Sequence, residues 1–214
     1  MSTSIADIRQ EYTKHTLDIS DVDADPLNQF KLWFSEAEKA EISEVNAMTL
    51  STVSSDGLPS SRIVLLKDIE NGGFVFFTNY QSDKGKDLEV NPAGALLFFW
   101  KELERQVRIQ GVVSKISKED SEKYFISRPK GSQIGAWTSP QSTIIKSRDL
   151  LVKREQELSN KFKNSEVLPK PEQWGGYVLK PAKMEFWQGR PNRLHDRILY
   201  TSSDNSWEIN RLAP

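Results

Sequence analysis

The sequence contains no cysteine and only two histidines, His15 and His195. The first absence excludes disulfides, a thiol nucleophile and thiolate metal sites. It fits a reducing cytoplasm without requiring one. Two histidines so far apart in sequence are a poor basis for a metal centre. Long apolar runs are missing too. Residues 95–100 are among the longest, far short of the ~20 apolar residues that cross a bilayer. The polar N-terminus has no apolar core of signal-peptide length. A soluble cytoplasmic chain with no membrane partner is the expectation. Charge of one sign is also lacking. The net charge is −1, without the basic field that nucleic-acid binders carry, so no nucleic-acid partner is expected. Any bound anion must be held by local clusters of Arg and Lys. There is no GxGxxG, no GxxxxGK[ST], no GxSxG and no HExxH, so no Rossmann or P-loop grip, nucleophile elbow or zinc helix is evident.

What is present suits one globular domain. A chain of 214 residues, 37% hydrophobic, can bury a substantial core without disulfides. Residues 1–25 are polar, with Asp18, Asp21, Asp23 and Asp25 crowded together, and read as an arm draped over a domain formed by 26–214. Pro26 follows Asp25, a plausible N-cap, and Leu27, Phe30, Trp33 and Phe34 recur at helical spacing, which predicts a helix over 26–42. From residue 47 the apolar period becomes two. Strands are predicted over 47–53, 59–67, 74–78, 95–100, 105–116, 176–179, 183–188, 197–201 and 207–211. Asp56-Gly57 and Asn71-Gly72-Gly73 supply turns. Helices are predicted over 82–90, over 118–127 with Ser117 as cap, and over 146–162. Short strands joined by hairpins, with helices inserted between them, argue for an antiparallel barrel with peripheral helices rather than a doubly wound parallel sheet.

Four constellations could carry chemistry. In Arg62-Ile63-Val64-Leu65-Leu66-Lys67 two cations flank an apolar strand. This is either a core strand with solvated ends or an anion grip beside an apolar slot. The two cations have opposite parity, so they share a site only if the chain bends between them. In Arg193-Leu194-His195-Asp196-Arg197, an extended backbone would put Arg193, His195 and Arg197 on one face. Such a face is either solvated and neutralised by Asp196, or built around an anion; Trp187 and Gly189 just upstream favour a site. Tyr124, Arg128 and Ser132 are spaced four apart and are all phosphate donors, but Pro129 argues against one helix through all three. Gln141-Ser142 reads equally well as an ordinary turn.

Together these segments resemble the pyridoxine 5'-phosphate oxidase family. The resemblance runs over nearly the whole chain. It includes Arg9-Gln10-Glu11-Tyr12, Arg62 to Lys67, Leu103-Glu104-Arg105-Gln106-Val107, Ser127-Arg128-Pro129, Ser132 to Trp137, Trp174-Gly175-Gly176, Glu185 to Gly189, Arg193 to Arg197 and Arg211-Leu212-Ala213-Pro214. It implies a homodimeric FMN-binding split barrel with two flavins at the subunit interface. The implied reaction is oxidation of pyridoxine 5'-phosphate and pyridoxamine 5'-phosphate to pyridoxal 5'-phosphate. Dioxygen is the oxidant, and hydrogen peroxide and, from the amine, ammonia are released. The implied FMN contacts are Arg62, Ile63, Val64, Leu65, Leu66, Lys67, Phe77, Thr78, Lys84, Gln106, Gln141, Ser142, Trp187 and Arg197. The substrate phosphate would meet Lys67, Tyr124, Arg128 and Ser132. Arg193 and His195 would lie over the pyridine ring as the catalytic pair, and Arg9 and Tyr12 would belong to the arm that closes on the substrate.

Two positions depart from the family pattern. Asp83 replaces a cation expected near the FMN phosphate, and Phe77 stands where the family often has Tyr. Two other functions remain open from residues alone: a split-barrel flavin reductase fed by NAD(P)H, and a non-catalytic binder of FMN or pyridoxal phosphate. The reductant that bleaches the flavin separates the first from the oxidase; oxygen uptake separates the second.

Overall fold

The structure is a computed structural model describing residues 4–8, 10–204 and 206–214. Arg9 lies outside the described residues. Nine strands and five α-helices are present among them: β1 (Ala47–Val53), β2 (Pro59–Leu65), β3 (Asp68–Glu70), β4 (Gly73–Asn79), β5 (Ala93–Trp100), β6 (Arg105–Lys115), β7 (Trp174–Gln188), β8 (Asp196–Ser203) and β9 (Ser206–Leu212), with α1 (Pro26–Lys39), α2 (Asp83–Val90), α3 (Lys118–Ser127), α4 (Lys130–Thr138) and α5 (Arg148–Lys161). The sheet runs β2-β1-β5-β6-β7-β4-β3, with β8 paired to β7 and β9 to β8. The pairs β3–β4, β4–β7, β7–β8 and β8–β9 are antiparallel. The expected mainly antiparallel β architecture with inserted helices is the one observed.

Local chemistry explains most boundaries. Asp25 caps α1 by accepting from the Leu27 N–H, and Pro26 begins the helix where a missing N–H costs nothing. The helix stops at Lys39, short of residue 42, because Glu41 takes a left-handed φ of 55° and Ile42 bonds back to the Ala37 carbonyl. Asn71 and Gly72, both at positive φ, form a two-residue turn between β3 and β4, with Glu70 opposite Gly73. Ser117 caps α3 by accepting from the Asp120 N–H.

Three expectations need correction. The strand foreseen over 59–67 ends at Leu65, and the short β3 follows. The strands foreseen over 176–179 and 183–188 are one, β7. Its first half pairs with β4 up to Leu179 and its second half pairs with β8 from Lys183. Pro181, which has no N–H to donate, falls between those two partners, where the loss is tolerated. Helix α4 was not foreseen. Pro129 ends one helix and, with φ −53°, leads into the next.

The chain forms two compact units. The first comprises the chain up to Thr49, Ala95–Gly111 and Pro181–Pro214. Its core is aromatic. Phe30 and Trp33 of α1 are buried; Phe30 meets Phe98 edge-on and Trp33 meets Phe186 edge-on. Arg105 fastens α1 through an ion pair with Glu36, its guanidinium lying 4.4 Å from the Trp33 ring centre. The second unit comprises Leu50–Gly94 and Val112–Lys180. Here β4 is nearly all buried, and Phe125, Ile134, Phe162, Leu168 and Trp174 form one cluster beneath α3 and α4.

Phe30 is fully buried, so Phe30→Ala removes a whole aromatic ring from that core. The expected cost is about 3–5 kcal/mol, read as a lower denaturant midpoint with an unchanged slope. A cost below about 1 kcal/mol contradicts this packing.

Candidate functional site

The second unit holds a cavity of about 600 Å³. Its lining includes Arg62, Ile63, Val64, Leu65 and Lys67, with Phe77, Thr78, Lys84, Tyr124, Arg128, Ser132 and Gln141. Most of the residues foreseen for the flavin and substrate phosphates therefore share one space. The parity objection to Arg62 and Lys67 disappears because β2 ends at Leu65 and the chain bends before β3. The backbone N–H of Lys67 donates to the Val75 carbonyl across that bend. Leu66 points into the core, only 7% exposed, and does not line the cavity. Tyr124 on α3, Arg128 at the corner and Ser132 on α4 converge because Pro129 divides the two helices.

The charge arrangement is unusual. Arg62 is pinned by neutral acceptors: it donates to Thr52 Oγ1 at 2.6 Å, to Ser60 Oγ at 2.8 Å and to the Leu50 carbonyl at 3.3 Å. Asp87 is 3.9 Å away, and burial lowers the Arg62 pKa. Lys84, 8% exposed, donates only to Ser82 Oγ and Gln141 Oε1, each at 3.3 Å. Burial, then the Arg62 charge, pulls its pKa below the ordinary lysine value. The Arg128 guanidinium lies 4.7 Å from the Trp174 ring centre; its Nη1 is buried without a hydrogen-bond partner, and burial lowers its pKa. Among the described residues neither Lys84 nor Arg128 has a carboxylate within ion-pair distance. Buried cations lacking anions are costly. The donor set therefore fits a ligand bringing its own phosphate, and it fits FMN. Phe77 stacks on Tyr124 with centroids 3.9 Å apart and on Trp174 at 5.3 Å, making a flat aromatic wall. Ser142 is exposed, with φ 66°, and does not line this cavity.

The first unit has its own cavity of about 730 Å³, lined by Ile8, Gln10, Glu11, Tyr12, Arg190, Asn192, Arg193 and His195. The 193–197 segment is not extended, so the shared-face argument fails. Pro191–Arg193 is a 3-10 turn with Asn192 and Arg193 at φ 56° and 62°. Arg193 and His195 still line one cavity. Arg197 does not line it: on β8 opposite Trp187, it donates to Glu185 at 2.8 Å and to the Ala213 carbonyl. Tyr12, Trp187 and His195 form an aromatic trio, with ring centres 4.5 Å apart for Trp187–His195 and 5.7 Å for Tyr12–Trp187. Gly189 permits it, since a Cβ there would meet Tyr12 Cβ at 2.7 Å. Gln106 is half-buried on β6 in this unit. His195 Nδ1 accepts from the Arg190 N–H at 3.1 Å. Burial, then the Arg193 charge, lowers its pKa below 6.5, with Asp196 opposing. Because Nδ1 accepts that bond, the nitrogen that carries the proton of the neutral imidazole is Nε2. Sequence reasoning missed Arg190 and Gln133. Gln133 Nε2 donates to the carbonyls of Ile126 and Arg128 and holds the α3–α4 corner. Neither stands out in sequence, because their partners come together only in the folded chain.

An antiparallel sheet with inserted helices, and a cavity built for a phosphate beside an aromatic wall, mark an FMN-dependent oxidoreductase of the split-barrel class. Residues 34–162 match the family model described as pyridoxamine 5'-phosphate oxidase. Residues 174–214 match that of the pyridoxine 5'-phosphate oxidase C-terminal dimerisation region. A pyridoxine/pyridoxamine 5'-phosphate oxidase from Ralstonia pickettii is 57% identical over 99% of this chain and 100% of its own, and one from Trichormus variabilis is 54% identical over 100% of both. The crystal structure of PhzG from Burkholderia lata 383, in complex with tetrahydrophenazine-1-carboxylic acid, is 30% identical, covers 91% of this chain and 95% of its own, and superposes with a TM-score of 0.86. An FMN-binding, pyridoxamine 5'-phosphate oxidase-related protein from Nostoc punctiforme shares the fold at 16% identity, covering 89% of this chain and 98% of its own, with a TM-score of 0.70. The chain belongs to the pyridoxine/pyridoxamine 5'-phosphate oxidase family, has FMN as its cofactor and forms a homodimer.

Lys84→Met keeps the volume of the buried side chain and removes its charge. The apoprotein is expected to be no less stable, and up to ~1 kcal/mol more so, because an unpaired buried ammonium disappears. Inorganic phosphate should raise the melting temperature of the parent protein by linkage and that of the variant much less. An equal phosphate-dependent rise in both rules out Lys84 as an anion contact.

Proposed function

We propose that the cavity of the second unit holds the two phosphate groups of the reaction, and that Arg193 and His195 face the substrate ring. The activity is oxidation of pyridoxine 5'-phosphate and pyridoxamine 5'-phosphate to pyridoxal 5'-phosphate. The observation that carries the site assignment is the convergence of Arg62, Lys67, Lys84 and Arg128 on one space, with Lys84 buried, Arg128 half-buried with its Nη1 unpartnered, and neither holding a carboxylate partner among the described residues. Each phosphate carries close to two negative charges at neutral pH, so two of them match four cations. FMN, when bound at the subunit interface, supplies the two-electron acceptor, and dioxygen takes the electrons on as hydrogen peroxide.

The chain's own residues bind and orient. Arg62 and Lys84 hold the FMN phosphate, with Thr78 and Gln141 as neutral partners. Ile63, Val64 and Leu65 form the wall against which the flavin packs. Lys67, Tyr124, Arg128 and Ser132 hold the substrate phosphate. Phe77 contributes a ring where the family often has a phenol; its stacking on Tyr124 needs no hydroxyl. Arg193 stabilises negative charge on the substrate. His195, neutral and protonated at Nε2, donates a hydrogen bond to it; it binds rather than shuttles protons. Tyr12 closes over the substrate from the arm. The cytoplasm is the proposed compartment, supported by the lack of cysteine and of any described helix long and apolar enough to cross a membrane.

Anaerobic mixing of the FMN-loaded protein with pyridoxine 5'-phosphate is expected to bleach the flavin band, and air to restore it. A flavin that stays yellow with the ligand shown to be bound disproves the oxidase reading, and bleaching by NAD(P)H alone supports a reductase. The His195 assignment predicts a titration seen by imidazole NMR below pH 6.5, with Nε2 protonated above it. Protonating Nδ1 breaks the bond from Arg190, so kcat/KM should fall only as the pH drops through that midpoint. A midpoint at or above 6.5, or a proton resident on Nδ1 in the neutral form, defeats the assignment.

A further inference from the structure

Asp196 lies between His195 and Arg197 in sequence but is not among the residues lining either cavity. Its carboxylate instead gathers three parts of the first unit. Oδ2 accepts from the backbone N–H of Leu17 in the N-terminal arm at 3.1 Å and lies 3.4 Å from Arg190 Nε. Oδ1 accepts from Arg211 Nη1 of β9 at 2.8 Å. Each partner is itself committed to the same assembly. Arg211 Nη2 also binds the Leu17 carbonyl and Asp18 Oδ2. Arg190 donates through Nη1 to the His15 carbonyl and through its backbone N–H to His195 Nδ1. Leu17 is buried, 5% exposed, although its neighbours in the arm are exposed.

The consequence is mechanical. Tyr12, five residues before Leu17, sits edge-on to Trp187 and against Gly189, beside His195. The turn carrying Asn192 and Arg193 holds two consecutive non-glycine residues at positive φ, a conformation that costs free energy unless its surroundings impose it. Arg190, at the start of that turn, is held by Asp196 and by the arm. We propose that Asp196 is a positioning residue that locks the N-terminal arm and the Arg190–Arg193 turn to one strand, so that Tyr12, Arg193 and His195 keep a common geometry. This rests on the reading of those three residues as the substrate face. Asp196 itself touches no reacting atom. Its two ion-pair partners balance one carboxylate, and the half-buried setting makes these bonds stronger than ordinary surface pairs.

The test uses the FMN-loaded homodimer with Asp196→Asn and, independently, Leu17→Ala, which removes the arm's buried side chain while keeping the backbone N–H that donates to Asp196. Three quantities are read: the rate of tryptic cleavage after Lys14, the KM and kcat for pyridoxine 5'-phosphate, and the FMN dissociation constant from fluorescence quenching. Lys14 is expected to be slow to cleave in the parent, since its N–H donates to Glu104 Oε2 at 3.0 Å. Both variants should be cut about 10-fold faster, with KM raised about 10-fold, kcat within about 3-fold and FMN affinity unchanged, a loss equivalent to about 1.4 kcal/mol in substrate binding. Unchanged cleavage after Lys14 overturns the proposal, as does faster cleavage with unchanged KM. So does a joint fall of kcat, KM performance and FMN affinity in both variants, which would mark a purely structural role. If the parent flavin is not bleached by pyridoxine 5'-phosphate, the functional reading fails instead, while the cleavage rates still report on Asp196.

Discussion

Unpaired positive charge in the second unit is the constraint from which the rest follows. Lys84 and the Nη1 of Arg128 are buried with only neutral partners or none. Water could solvate such groups if they were exposed, and carboxylates could neutralise them if the fold needed only stability. The fold does neither. Its strands and helices are arranged so that β2, β4, α2 and the α3–α4 corner bring cations to one space beside a stacked aromatic wall. A ligand with phosphate removes the penalty, and binding then contributes directly to stability.

The first unit handles charge in the opposite way. Its cations are paired within the protein: Arg197 and Arg108 with Glu185, Arg105 with Glu36, and Arg190 and Arg211 with Asp196. These pairs fix elements in place rather than wait for a ligand. His195 belongs to the same network, its Nδ1 accepting from the Arg190 backbone N–H.

Much of this was legible in the sequence where local chemistry decides. Asp25-Pro26, Asn71-Gly72 and Ser117 set their turns and caps unaided, because each effect is complete within four residues. The phosphate cluster was legible as residue types, but its convergence was not. Parity along β2 argued that Arg62 and Lys67 face apart, and only the bend after Leu65 brings them together. The 193–197 segment misled for the converse reason. Alternation assumes an extended chain, and the left-handed pair Asn192-Arg193 breaks it. Helix α4 and the unbroken β7 are not legible in sequence because a proline inside a run reads as a break. At Pro129 it also opens a helix, and at Pro181 it occupies a gap between two pairing partners. Arg190 and Gln133 carry no sequence signal, since their partners, backbone carbonyls and, for Arg190, the Asp196 carboxylate, are brought to them by tertiary structure.

The replacement at Asp83 can now be weighed physically. In sequence it reads as a reversed charge at the flavin phosphate. In the fold it occupies the first turn of α2, exposed, where a carboxylate complements the helix dipole. Its field acts on Arg62 and Lys84 in the direction that favours their charged forms, opposing the burial that lowers their pKa. Exposed charges are screened over about 8–10 Å at physiological salt, and an exposed pair contributes at most about 1 kcal/mol. Buried Lys84 is screened far less. Asp83 therefore alters the field at Arg62 and Lys84 only at the margin.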